Sequence, residues 1–274
     1  GAVLNICLDP LFIFVLHMGV RGAAVATVLS QAVSAIWVVH FLLSEKSVMR
    51  LTLKNMHLKK DVIKMIAGLG VSPFIMQSTE SLVTITLNTG LQRYGGDLYV
   101  GSMSILMRVM QMITIPVQGI TLGIQPIISY NYGAGNKERV KATMKRMILV
   151  CLTGTLLLAG VAIFAPQIYT GLFTDDKELL ELTCKVMPVY FLGISIFGIQ
   201  CACQTSFISL GQAKVSLFIA LLRKIILLIP LAIILPKFMG VMGIYRAEPV
   251  ADVISILTTS VVFIVTVKKV LRNM

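Results

Sequence analysis

Three oxygen-bearing groups are expected to gather around one carboxylate near the start of the chain. The run Asn5-Ile6-Cys7-Leu8-Asp9-Pro10 is otherwise apolar. An acid buried in hydrocarbon costs roughly 2.5–3.5 kcal/mol on insertion scales, so it normally faces a cavity or a partner. Asn5 precedes Asp9 by four residues and shares its helical face. The connection after this stretch centres near residue 18, and Thr27 lies as far beyond that centre as Asp9 lies before it. Two antiparallel neighbours would then hold Asn5, Asp9 and Thr27 at similar depth, about 13 Å from the turn. Pro10 has no N–H to donate, which frees the Ile6 carbonyl in the same wall. Carboxylate, amide, hydroxyl and carbonyl form a set suited to a hard cation such as Na⁺, while Asp9 alone suits H⁺. The competing reading is that Asp9 merely caps or hydrogen-bonds near a kink.

Glu80 reads as the other deep acid, with Gln77, Thr84 and Asn88 on related helical faces. The following connection centres near residue 94, and Glu80 and Arg108 lie equally far from it on either side. They can therefore meet at one depth, either as a structural ion pair or around a bound cation or substrate. Gln111, Gln118 and Gln125 recur every seven residues beside Met107, Met110 and Met112. Such a face suits varied amphipathic ligands, or else joins packed helices. Gly119 and Gly123, four apart, predict a close helix contact.

These residues sit in a chain of 274 residues that is 57% hydrophobic and 13% charged, with mean hydropathy +0.89. That balance predicts an all-α polytopic membrane protein with about eight transmembrane helices. The apolar blocks lie near residues 1–16, 22–43, 62–90, 98–130, 147–172, 182–209, 214–236 and 247–267. Of the 24 Lys and Arg, loops on one side hold fifteen, those on the other hold six, and Arg108, Arg223 and Lys224 lie within blocks. The richer side, which includes the C-terminus, is therefore expected in the cytoplasm. The net charge of +12 reflects this topology, and no nucleic-acid partner is implied. A basic stretch over residues 47–61 is expected to be a cytoplasmic linker between two bundles, with Leu51, Leu53, Met56 and Leu58 able to lie on the bilayer surface. No metal set is expected from the five cysteines, and Cys201 and Cys203 point apart on a helix.

The first and seventh blocks share a signature. Pro10-Leu11-Phe12-Ile13 recurs as Pro230-Leu231-Ala232-Ile233, and Gly19-Val20-Arg21-Gly22 recurs as Gly240-Val241-Met242-Gly243. An offset of 221 also pairs Ala26 with Ala247 and Ser34 with Ser255. Both pairs of blocks run in the same direction, so the expectation is a parallel repeat. A parent of about 440 residues follows, of which this chain would be an N-terminally truncated piece lacking roughly 170 residues and four helices.

The run Gly123-Ile124-Gln125-Pro126-Ile127-Ile128-Ser129-Tyr130-Asn131-Tyr132-Gly133-Ala134-Gly135-Asn136 resembles the close of the eighth helix in the multidrug and toxic compound extrusion (MATE) family. The segment from Asn5 to Phe14, followed by Gly19-Val20-Arg21-Gly22-Ala23-Ala24, is similar to that family's fifth and sixth helices. The resemblance covers the whole chain. It implies a twelve-helix, two-lobe fold, of which residues 1–46 are the end of the N-lobe and 62–274 the complete six-helix C-lobe.

The same resemblance implies an antiporter in the cytoplasmic membrane, monomeric when full length, that exports amphipathic, often cationic compounds against inward Na⁺ or H⁺. Membrane lipids are then its other partners, and beyond the coupling ion no cofactor is expected. It implies that Asn5, Asp9 and Thr27 form an N-lobe cation site and that Glu80 matches a seventh-helix glutamate used for cation or substrate. Gln77, Arg108, Gln111 and Gln118 are further candidates, whereas residues 186–209 lack the tenth-helix acid of some relatives. A first-helix acid that many members use lies outside the chain. The alternatives are a related flippase of lipid-linked sugars, which needs a strongly cationic cavity, and an inactive fragment of the antiporter. An enzyme is not expected, since neither a phosphate-binding Gly-Lys-Ser/Thr loop nor a His-Glu-x-x-His motif occurs.

Overall fold

The computed structural model describes residues 1–44 and 60–272, all in helices and the turns between them. Eight helices correspond to the eight apolar blocks: α1 Ala2–Val15, α2 Gly19–Leu43, α3 Lys60–Tyr94, α4 Asp97–Gly133, α5 Lys137–Phe164, α6 Lys177–Ser209, α7 Lys214–Met239 and α8 Val241–Arg272. A five-residue helix, Pro166–Thr170, follows α5. Six of the eight are long and apolar enough to cross a membrane; α1 is a shorter apolar helix. The expected linker falls outside the described residues except for Lys60 and Asp61, which begin α3. The chain divides into two compact units, Gly1–Ala67 and Gly68–Met274.

In the first unit, α1 and α2 form an antiparallel hairpin. Pro10 interrupts the hydrogen-bond ladder, and residues Leu11–Val15 widen into a π turn in which the Leu16 N–H donates to the Leu11 carbonyl at 2.9 Å. The chain reverses through His17 and Gly19, both at positive φ. Gly22 lets the helices close: a Cβ there would stand 2.8 Å from the Phe12 carbonyl. Gly1 lies against Ser34 at the other end.

In the second unit, local chemistry sets the helix ends. Asn136 accepts from the Arg139 N–H at 3.2 Å and starts α5 ten residues before the apolar block, so the expected loop residues Lys137 to Arg146 are helical. Asp176 accepts from the Glu178 and Leu179 N–H groups and starts α6. α6 breaks at Ile196, where the Ser195 carbonyl takes a bond from Thr155 at 2.9 Å.

Two glycines of α6, one on each side of the break, seat it between neighbours. At Gly193 a Cβ would lie 2.6 Å from Asp252 Cβ on α8, and at Gly198 one would lie 2.2 Å from the Cys151 carbonyl oxygen on α5. Tyr190, Phe191, Met187, Met103, Leu106 and Tyr245 fill the core around it. Among the described residues no close contact forms at Gly119 or Gly123, both of which lie on the exposed side of α4.

Candidate functional site

In the α1–α2 hairpin, Asn5 Nδ2 donates to Asp9 Oδ1 at 3.2 Å, the i, i+4 pairing read from the sequence. Both residues are half-buried, and among the described residues Asp9 has no basic partner within ion-pair distance. The juxtapositions of Gly1 with Ser34 and Phe12 with Gly22 put Asp9 level with about Ala26, one residue from Thr27. Thr27 is exposed, and its hydroxyl donates to the Ala23 carbonyl at 2.9 Å, which leaves its oxygen lone pairs available. The hairpin therefore holds one carboxylate, one amide and one hydroxyl oxygen at similar depth, with no fixed countercharge among the described residues.

In the second unit, the expected meeting of Glu80 with Arg108 does not occur. Arg108 is exposed on α4, and Glu80 of α3 pairs instead with Lys224 of α7. Arg108 lies on the side of α4 turned away from the packed interior. Gln77, Glu80 and Thr84 share an exposed polar face of α3. Gln111 and Gln118 are likewise exposed, on the same side of α4 as Arg108, so they are not joints between packed helices of this unit.

The Glu80 side chain is 53% exposed. Two further acids, Glu248 and Asp252, one turn apart on α8, are enclosed by the packed helices, and both close on Arg223 of α7. Arg223 Nε donates to Asp252 Oδ1 at 2.5 Å and Nη2 to Glu248 Oε1 at 2.9 Å, while the guanidinium lies 4.5 Å from the Phe197 ring centroid. The three residues are 7%, 5% and 0% exposed, so this is a dry cluster with two carboxylates to one guanidinium. The Asp252 Oδ2 and Gln200 Oε1 atoms are buried without a hydrogen-bond partner among the described residues. A sequence signal existed, since two acids four apart in the last block face two bases in the block before it.

Arg223 and Lys224 are adjacent in a π segment, Leu222–Leu228, and they serve different partners on different helices. Among the described residues, two of the three bases expected within the apolar blocks, Arg223 and Lys224, are paired with carboxylates.

The chain is similar to known transporters along nearly its whole length. It is 26% identical over 250 residues to "Multidrug export protein MepA" of Staphylococcus aureus (strain MSSA476), covering 91% of this chain and 54% of that protein. Against the protein of the same name from Staphylococcus haemolyticus (strain JCSC1435) it is 26% identical over 258 residues. The chain thus spans about half the length of these curated relatives.

The fold matches a solved structure described as an outward-facing conformation of a multidrug resistance MATE family transporter of the MOP superfamily, with TM-score 0.83, 21% identity, and 99% of this chain and 61% of that one covered. It matches an inward-facing structure of the same description as well, with TM-score 0.84, 19% identity and 97% and 62% coverage. At these identities the two structures establish the fold alone. The family model MatE matches residues 73–234, well over half of the sequence and most of the unit that holds the charge cluster. This multi-pass helical membrane chain, with its Asn5–Asp9 hairpin and its α3–α8 bundle, belongs to the MatE family.

Proposed function

We propose that the protein exports amphipathic, often cationic compounds across the cytoplasmic membrane in exchange for inward Na⁺ or H⁺, with its C-terminus in the cytoplasm. The observation that carries this reading is Asp9: a half-buried carboxylate oriented by Asn5 and held beside Thr27, with no ion-pair partner among the described residues. A carboxylate kept this way has a cost that a mobile cation offsets on binding. Loading and unloading that cation biases the transporter between two conformations. The fifteen-to-six distribution of basic residues supports the orientation. The polar exposed faces of α3 and α4, with Gln77, Glu80, Arg108, Gln111 and Gln118, supply hydrogen-bonding groups for varied substrates. The relatives' description as multidrug export proteins supports the substrate class.

Dye export from proteoliposomes under an imposed Na⁺ or H⁺ gradient tests the reading, with substrate affinity measured separately. Asp9→Asn keeps size and hydrogen bonding, and is expected to abolish gradient-driven export while leaving folding and substrate affinity intact. Undiminished export by well-folded Asp9→Asn protein would place the essential ion site elsewhere.

A further inference from the structure

The start of α5 and the end of α8 meet over a small cavity. Its volume is about 230 Å³, and Lys141, Met144, Lys145 and Ile148 of α5 line it together with Phe263 of α8. The α5 residues follow one another at spacings of three, four and seven from the first, so they share one helical face. Met144 is buried and Ile148 and Phe263 are half-buried, which makes this part of the lining apolar. The Phe207 ring meets Phe263 edge-on, with centroids 5.8 Å apart, and steadies that wall. Both lysines are exposed. Lys141 Nζ donates to Glu138 Oε1 at 3.1 Å, whereas Lys145 has no ion-pair partner among the described residues.

The cavity lies where hydrocarbon gives way to water. The apolar block within α5 begins near residue 147, and the one within α8 ends near residue 267. Ile148 and Phe263 therefore fall inside the apolar span and both lysines outside it. The charge there is one-sided: residues 137–146 hold five bases and the acid Glu138, and residues 263–272 hold three bases and no acid. We propose that this cavity binds an anionic phospholipid of the leaflet beside these basic helix ends, with its phosphate at Lys145 and Lys141 and its acyl chain along Ile148 and Phe263. Such a lipid meets the lysines with charge and covers the apolar lining with its chain. Lys145 contributes more of the attraction, because Glu138 already offsets part of the charge on Lys141. A cationic compound would instead face two ammonium groups, so the cavity does not suit the exported compounds proposed above, and the inference stands independently of the export reading.

Quenching by brominated lipids tests the proposal. Trp37 of α2 is the one tryptophan of the chain, so Trp37→Phe combined with Phe263→Trp puts the reporter in the cavity wall. Ile148→Trp serves as the reporter should Phe263→Trp fold poorly by thermal melt. The full chain is reconstituted in phosphatidylcholine vesicles with rising fractions of brominated phosphatidylglycerol or of brominated phosphatidylcholine. Half-maximal quenching is expected at about fivefold lower mole fraction of the brominated phosphatidylglycerol. Lys145→Gln is expected to bring that ratio close to one, and Glu138→Gln to raise it about twofold by releasing Lys141. Lys268→Gln, on the same end of α8 but outside the cavity lining, is expected to leave it unchanged. Native mass spectrometry of the unlabelled chain gives a readout without any tryptophan change: one retained phosphatidylglycerol on the wild type, lost in Lys145→Gln.

Equal quenching by the two lipids, or equal effects of Lys145→Gln and Lys268→Gln, would overturn the proposal. Relief of the quenching by millimolar glycerol phosphate would overturn it too, by showing that the lysines take a soluble phosphate in place of a lipid. Each of these outcomes leaves the export reading at Asp9 standing.

Discussion

The α1–α2 and α7–α8 hairpins are two versions of one design. Each carries a proline and a π turn in its first helix, Pro10 with Leu11–Val15 and Pro230 with Leu222–Leu228. Each reverses through a glycine at positive φ, Gly19 and Gly240, and each closes where a glycine presses on backbone, Gly22 on Phe12 and Gly243 on Leu235. Ala26 and Ala247, equivalent by the offset of 221, are both fully buried.

The charges separate them. The first hairpin holds a half-buried acid with only a neutral amide bonded to its side chain, whereas the second encloses two acids around a guanidinium and excludes solvent. An acid that must take up and release an ion needs access and a weakly held partner. A fully buried pair with charge-assisted bonds instead fixes two helices to each other. The same scaffold thus holds an accessible acid in one hairpin and an enclosed, paired set of acids in the other.

Removing the fastener tests this contrast most severely. Arg223→Met strands two buried carboxylates and is expected to destabilise the chain by about 3–5 kcal/mol, with much of that recovered when Glu248→Gln and Asp252→Asn are added. Denaturant unfolding in mixed micelles measures both, and a single variant as stable as the triple would remove the distinction between the hairpins.

The shared closure is tested next. Gly243→Ala meets the Leu235 carbonyl carbon at 2.5 Å and Gly22→Ala the Phe12 carbonyl at 2.8 Å, so each is expected to cost about 1–3 kcal/mol, with Gly243 the larger. Gly119→Ala, facing open space, is expected to be neutral or stabilising by up to about 1 kcal/mol in the same assay.

Asn5→Ala removes the amide that orients Asp9 and is expected to lower the apparent affinity for the coupling ion about threefold to tenfold, a loss of about 0.7–1.4 kcal/mol, the net size of one ordinary hydrogen bond. Ion titration of export reads it. Thr27→Ala, exposed and bonded only to its own helix, is expected to change stability by less than about 0.5 kcal/mol and ion dependence less than Asn5→Ala does.

The geometry of the hairpin was legible because its logic is local. Asn5 and Asp9 are one turn apart, the turn near residue 18 was marked by Gly19, and antiparallel counting then placed Thr27 within a residue of its observed level. The same counting failed for Glu80 and Arg108. Depth can be counted from a turn, but the rotation of α4 about its axis is set by packing against α5 and α6, which brings Met103, Leu106 and Val109 inside and turns Arg108 out. Lys224 reaches Glu80 across more than a hundred residues of sequence, and no spacing announces that. Glu248 and Asp252 were passed over because the last apolar block was drawn around its hydrophobic majority, although α8 begins at Val241 and carries both acids on its buried side.

The enclosure of Arg223 also constrains biogenesis. A guanidinium entering the bilayer on α7 alone would cost roughly 2.5–3.5 kcal/mol on translocon scales, and its neutralising carboxylates arrive only with α8, the next segment to be synthesised. The tight reversal at Gly240 leaves almost no chain between the two helices. Insertion of the final pair as a single preassembled hairpin avoids that penalty.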